Sequence, residues 1–176
     1  MKPLAWGSKV SAEFRNKVRA IAFNLNANPD HLMSCIAFET GKTFSPSIVN
    51  KLSGATGLIQ FMPVTAIYLG TTTAELAKMT AEKQLDYVYE YLRRFTGKLN
   101  SVEDFYLSIL YPVAVGKPND YVVFDKADKK YPKRYLQNRG LDVDKNEKIT
   151  KVEAASGAVR MLQVGLRPEN IEQETA

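Results

Sequence analysis

The sequence predicts a mostly α protein organised as a single domain, on three observations. Apolar residues recur at three- and four-residue spacing in one stretch after another, capping residues stand at the starts of those runs, and no segment sustains the two-residue alternation of a half-buried strand. With 176 residues and 45% hydrophobic content, the chain can build one sizeable core and is too short for two. There is no repeat, and the eight prolines and ten glycines are too scattered to mark a linker.

The elements follow in order. In "SAEFRNKVRAIAFNLN", Phe14, Val18, Ile21, Ala22 and Leu25 share a face behind Ser11 as cap. "NPDHLMSCIAFETG" has Asn28 as cap, Pro29 at the first helical position and Gly41 as stop. "LIQFMPVTAIYLG" is expected to be a short helix in two parts about Pro63, closed by Gly70. A helix from Thr80 to Gly97 carries Leu85, Val88, Tyr89, Leu92 and Phe95 on one side, and another follows from Ser101. Residues 117 to 148 read as loops and short turns, a last helix runs from Thr150 to about Val164, and the tail after Pro168 is expected to fray. The core thus spans about 11–116, with the loop-rich region and last helix over 117–167.

Composition then narrows the function. A net charge of +5 and a pI near 9.2 favour approach to an anionic surface. The basic residues are nevertheless dispersed, with "KADKKYPKR" at 126–134 the one dense stretch, so nucleic acid is not an expected partner. Cys35 is the single cysteine and lies among apolar residues, which excludes an internal disulfide framework and suits packing. With His31 the single histidine, His-based zinc sites and Ser-His-Asp catalysis lack their parts, and no phosphate-loop or dinucleotide fingerprint occurs. Cofactor-free chemistry is expected. The start "MKPLAWGSKVSAEF" holds no secretory core, and no window approaches the roughly 20 apolar residues of a membrane span. Synthesis in the cytosol without stable membrane insertion is the expectation.

One acid stands out. Leu32, Cys35, Ile36 and Glu39 fall at i, i+3, i+4 and i+7, so Glu39 continues the apolar stripe of its helix. Lost hydration would raise its pKa and keep a proton available near neutrality, the state a general acid needs for a glycosidic oxygen. Periodicity alone favours the plainer arrangement, a head group bent into solvent at the helix's last turn.

The surrounding residues are more specific. "ET" at Glu39 and Thr40, "FSP" at 44–46, "SGATGLIQFMPVTA" at 53–66 and "LG" at 69–70 resemble the catalytic core of the soluble-lytic-transglycosylase group of the lysozyme superfamily, particularly its phage-endolysin-like members. The likeness is dense over residues 29–70 and weaker to 116. It implies a lysozyme-like domain with a groove between helices, acting on the glycan strands of bacterial peptidoglycan as a monomer. It further implies Glu39 as catalytic acid and base, with Gly57, Leu58, Ile59, Gln60 and Met62 lining the groove beside Thr40. Phe44, Phe61 and Tyr111 are candidates to stack on sugar rings, and core packing is the alternative for each. The family's Ala-Tyr-Asn-Ala-Gly motif has its nearest counterpart in "LYPVAVG" at 110–116, where Tyr111 matches and Pro112 removes the asparagine amide. Tyr135 is the candidate for the family tyrosine that hydrogen-bonds the catalytic glutamate.

Ordinary glycosidases use two carboxylates, whereas residues 40–74 contain no acid at all. A lytic transglycosylase can work with one: the acid protonates the glycosidic oxygen, then takes the proton of the sugar's own C6 hydroxyl as a 1,6-anhydro ring closes. A hydrolytic muramidase would need a distant partner such as Glu75, Asp86, Glu103 or Asp104. The resemblance also implies a phage lysis enzyme made in the host cytoplasm and released to the wall by a separate protein. A wall-binding or virion protein without turnover is the alternative from another class.

A second constellation is "DVDKNEKITKVE" at 142–153, where Asp142, Asp144, Asn146, Lys148 through its carbonyl, Thr150 and Glu153 take positions 1, 3, 5, 7, 9 and 12 of a calcium loop. Position 6 is Glu147 where glycine is usual, and Thr150 with Glu153 also spells a capping box. An ion held there would be structural calcium, apart from the chemistry.

Overall fold

The computed structural model describes residues 2–172. Eight α-helices and one two-stranded sheet make up its regular structure, so the mostly α class is observed. They are α1 (Ala12–Leu25), α2 (Pro29–Glu39), α3 (Pro63–Tyr68), α4 (Thr73–Leu76), α5 (Ala81–Leu92), α6 (Val102–Leu110), β1 (Val122–Asp125), α7 (Pro132–Asn138), β2 (Lys148–Thr150) and α8 (Lys151–Gly165).

The caps read from sequence are made. Ser11, Thr80, Ser101 and Thr150 each accept the backbone N–H three residues on, and Asn28 accepts from Asp30. Each satisfies an orphan donor at a helix start, a contribution of about 1 kcal/mol. At α8 the capping box is complete, with Glu153 reaching back to the Thr150 N–H at 2.9 Å.

α2 is the central element. It packs against α1, α6 and α8, and residues 32–37 are buried without a break. Gly157 of α8 makes the closest of these approaches possible, since a Cβ there would lie 2.2 Å from the Phe38 ring. A buried ion pair joins α6 to α8: Lys151 Nζ donates to Asp104 Oδ1 at 2.6 Å and to the Lys117 carbonyl at 2.7 Å.

Four expectations need correction. The stretch before Pro63 is not helical; residues 48–61 fold back on themselves through paired bonds between Thr56 and Phe61, and only Pro63–Tyr68 forms a helix. The motif's periodicity is there, but Gly57 at φ 84° and Gln60 at φ 52° break the helical path. The expected loop region contains β1 and β2, an antiparallel pair with Phe124 opposite Ile149 and an irregularity between Val122 and Phe124. Strands of three and four residues are too short to show alternation. α4 also went unforeseen, and it is one turn held by a Thr72–Glu75 capping box. Finally, the tail does not fray up to residue 172: Asn170 is buried, and Glu172 forms ion pairs with Arg15 and Arg19. The expected fraying of residues 173–176 lies outside the described residues.

No helix among the described residues is long and apolar enough to cross a membrane.

Candidate functional site

Glu39 is the last residue of α2, and the chain reverses at once behind it. Thr40 Oγ1 donates to the Ile36 carbonyl at 2.7 Å and accepts the Phe44 N–H at 3.0 Å. Gly41, Lys42 and Phe44 take positive φ angles of 58°, 71° and 53°. Left-handed backbone at two non-glycine residues costs about 1 kcal/mol or more each, and at Phe44 a packed surround sustains it. Phe44 is wedged against Trp6 and Phe14 at ring separations of 6.2 and 6.1 Å. The reversal is therefore pinned on both sides, and it holds the Glu39 backbone in place.

The carboxyl itself is treated very differently from its frame. Glu39 is half-buried and makes no side-chain hydrogen bond or ion pair with any described residue. Burial alone pushes its pKa up to about 7 from an ordinary 4.5. Its position at the C-terminal end of α2, among the helix's outward carbonyls, disfavours the anion further. Its neighbours feel the charge: Tyr106 of α6 and Cys35 of α2 are both pushed up, by burial first and then by Glu39. Tyr106 is also packed edge-on to Phe38 at 5.3 Å, so α6 forms the wall beside the acid.

The four acids named as possible second carboxylates are arranged otherwise. Glu75 caps α4, Asp86 pairs with Lys17 at 2.7 Å and Lys83 at 3.1 Å, and Asp104 is tied to Lys151 and the Gly116 N–H. Glu103 lies near enough to Cys35 to raise its thiol pKa, yet no carboxylate contributes to the rise at Glu39.

The segment expected to line a sugar site is held by a residue that sequence reasoning missed. Gln84 of α5 is fully buried; its Oε1 accepts the Leu58 N–H at 2.6 Å, and its Nε2 donates to the carbonyls of Pro46 and Leu76 at 3.0 and 2.9 Å. A Cβ on Gly57 would stand 2.2 Å from that same Oε1, which explains glycine there. An amide one helical turn before Val88 in an apolar stripe was the available signal.

The expected lining residues divide into two groups. Gln60, Met62 and Tyr111 keep exposed surface, with Met62 at 45%. Gln60 and Met62 border a narrow cleft of about 30 Å³ with Thr65, Tyr91 and Ile109. Gln60 Nε2 is turned onto the Gly57 carbonyl at 3.1 Å. Thr40, Phe44, Gly57, Leu58 and Ile59 are buried, as is Phe61. Phe44 and Phe61 are core residues, not surfaces for sugar stacking. Tyr111 packs edge-on to Phe124 at 5.4 Å beneath the Arg134 guanidinium. The expected bond from Tyr135 to Glu39 is not made: the Tyr135 hydroxyl donates to Asp142 Oδ2 at 2.6 Å. That bond raises the tyrosine pKa and lowers that of Asp142.

The 142–153 segment runs from the turn after α7 into the first turn of α8, where Glu153 stands, with β2 covering its seventh to ninth positions. Glu147 at position 6 adopts φ 69°, the conformation that glycine usually supplies. One oxygen from each of Asp142, Asp144 and Glu153 lies within 4.8 Å of the others. Asp142 Oδ1 is buried without any hydrogen-bond partner, and a hard cation would fill that gap in a donor set made of oxygen.

No protein-family model matches the chain, and no curated protein matches it in sequence.

Proposed function

We propose that the protein cleaves the β-1,4 bond between N-acetylmuramic acid and N-acetylglucosamine in peptidoglycan, as a lysozyme-like lytic transglycosylase with Glu39 as acid and base. The observation that carries this reading is the Glu39 carboxyl: half-buried, unpartnered, and raised to a pKa of about 7. Such a group is protonated in a useful fraction at neutral pH and poised to lose that proton, which suits one residue serving first as acid and then as base. The lack of a second carboxylate acting on Glu39 supports ring closure by the sugar's C6 hydroxyl over attack by an activated water. The cleft bordered by Gln60, Met62 and Ile109 is where a glycan strand would pass, as part of a groove between α3, α5 and α6. Biologically the reading is that of a phage lysis enzyme, made in the host cytoplasm and acting as a monomer on the wall after release.

The 142–153 loop would hold a calcium ion through Asp142, Asp144, Asn146, the Lys148 carbonyl and Glu153, with the orphaned Asp142 Oδ1 as the favouring observation. The ion would fix the loop between α7 and α8 and take no part in bond cleavage.

Mass spectrometry of soluble products from purified peptidoglycan tests the reaction. Muropeptides ending in 1,6-anhydro-muramic acid are expected. Reducing ends would mean hydrolysis, and no products would leave a wall-binding protein.

A further inference from the structure

Beyond the narrow cleft the surface opens into two cavities. One, of about 400 Å³, is bordered by Val64, Tyr68, Tyr91, Arg94, Ile109 and Pro112. The other, of about 490 Å³, adjoins it through Tyr68, Tyr91 and Arg94. The cleft and the first cavity share Thr65, Tyr91 and Ile109, so the three form one trough. Ile109 stands one helical turn beyond Tyr106, the tyrosine that feels the Glu39 charge.

The trough combines exposed apolar side chains with charged ones, Glu90, Arg93 and Arg94, around its larger cavity. Val64 and Tyr68 are largely exposed there although apolar, at 72% and 83%. Arg93 is committed to Glu90 at 2.9 Å, whereas the Arg94 guanidinium has no carboxylate partner among the described residues. Arg94 lies over the Tyr91 ring at 4.4 Å and the Phe95 ring at 4.8 Å. Stacking of this kind, with the hydrogen bond that Arg94 also gives the Tyr91 side chain, orients the planar fork and leaves further N–H donors on it. Tyr91 is itself fixed, since its hydroxyl donates to the Ser108 carbonyl at 2.7 Å. An oriented guanidinium beside apolar surface fits a carboxylate carried on a chain with small apolar groups, held by two parallel charge-assisted hydrogen bonds.

We propose that this trough binds the acidic stem peptide attached to the muramic acid residues, with Arg94 clasping one of its carboxylates while its methyl side chains lie along Val64, Tyr68 and Ile109. The inference rests on the reading of the chain as a peptidoglycan-cleaving enzyme. It makes the bond to be cut one flanked by a peptide-bearing sugar, with Arg94 determining that preference.

The test has two readouts. A soluble stem tetrapeptide of L-Ala, D-Glu, a diamino acid and D-Ala is titrated into isotope-labelled protein, and glycan strands with stems are compared with strands stripped by an amidase. The peptide is expected to move the resonances of Tyr68, Tyr91 and Arg94 and to bind Arg94→Ala about tenfold more weakly. The ratio of cleavage rates on stem-bearing to stripped strands is expected to fall about tenfold in the same variant. Arg94→Lys, which keeps the charge and loses the fork, should resemble Arg94→Ala. A peptide that leaves those resonances unmoved, an unchanged ratio, or a fully competent lysine variant would each overturn the proposal. Peptide binding that survives in a protein cleaving neither substrate would sink the enzymatic reading and leave the peptide site standing.

Discussion

Glu39 at the end of α2 and Asp104 in the first turn of α6 are both withdrawn from water, on helices that pack together, and the fold handles them in opposite ways. Asp104 receives Lys151 at 2.6 Å and the Gly116 N–H at 2.8 Å on Oδ1 and the Ser101 hydroxyl at 3.4 Å on Oδ2, so both carboxylate oxygens are answered. Glu39 receives no hydrogen bond or ion pair from any described residue, and burial raises its pKa to about 7. Burial with partners ties Asp104 into the fold, whereas burial without a described partner is what makes Glu39 the candidate acid. The paired carboxylate joins two helices, while the lone one stores a proton.

The sharpest way to break this contrast is to remove the proton donor and keep its shape. Glu39→Gln is expected to lower the rate of peptidoglycan clearing by about 10²–10⁴-fold, the span that a general acid contributes. Turbidity loss of a cell-wall suspension measures it, and near wild-type clearing would end the catalytic assignment.

Next comes the paired acid. Lys151→Met leaves Asp104 buried without its cation and is expected to cost about 3–5 kcal/mol in chemical denaturation. Replacing both partners with apolar residues should recover most of the loss, because no charge is left stranded.

How much of this contrast was legible beforehand depends on which contacts are local. Ser11, Asn28, Thr80, Ser101 and Thr150 act over two or three residues and were readable as caps. The stripe of Leu32, Cys35 and Ile36 likewise placed Glu39 at the edge of the interior. What sequence could not show was that Lys151 meets Asp104 across 47 positions, or that Gln84 holds Leu58 across 26. Tyr135 failed as a partner of Glu39 for another reason: its hydroxyl is taken by Asp142, seven residues on in the acidic loop. Phe44 is a core wedge and no sugar platform because aromatic identity does not distinguish the two, while Phe61 lies in the core as its packing alternative had it.

A subtler test turns on stability against pH. The Glu39 pKa is raised in the folded state, so ionising the side chain opposes folding; the penalty is absent below the unfolded value of 4.5, grows through the window up to about 7, and is constant above it. Glu39→Gln carries no such penalty. The variant should therefore be more stable than wild type by about 2 kcal/mol at pH 8, below the full-burial figure because the side chain keeps some exposure, with the gap closing near pH 4. Parallel denaturation curves across that range would measure it. A pH-independent difference would mean that Glu39 titrates as an ordinary surface acid.

The smallest expected effect concerns a third treatment of acids, in which Asp142, Asp144 and Glu153 are gathered on a surface loop and face one another. The Tyr135 hydroxyl first, and the loop's own N–H groups, hold Asp142 below its ordinary carboxylate range, while its Oδ1 keeps an acceptor need that no described residue meets. A divalent ion would relieve it, and binding to the folded state alone raises stability with the logarithm of ion concentration, by about 1–3 kcal/mol at concentrations well above the dissociation constant. Millimolar calcium should raise the midpoint of thermal unfolding by a few degrees, about what 1 kcal/mol gives in a domain of this size. Glu153→Gln, which preserves the capping geometry of α8 while losing the charge, should abolish that increment. Because the loop lies apart from Glu39 in the chemistry proposed, chelation should lower thermal stability and leave the rise and fall of clearing activity with pH unshifted. A shift in that profile would join the two acid sites that the fold otherwise keeps separate.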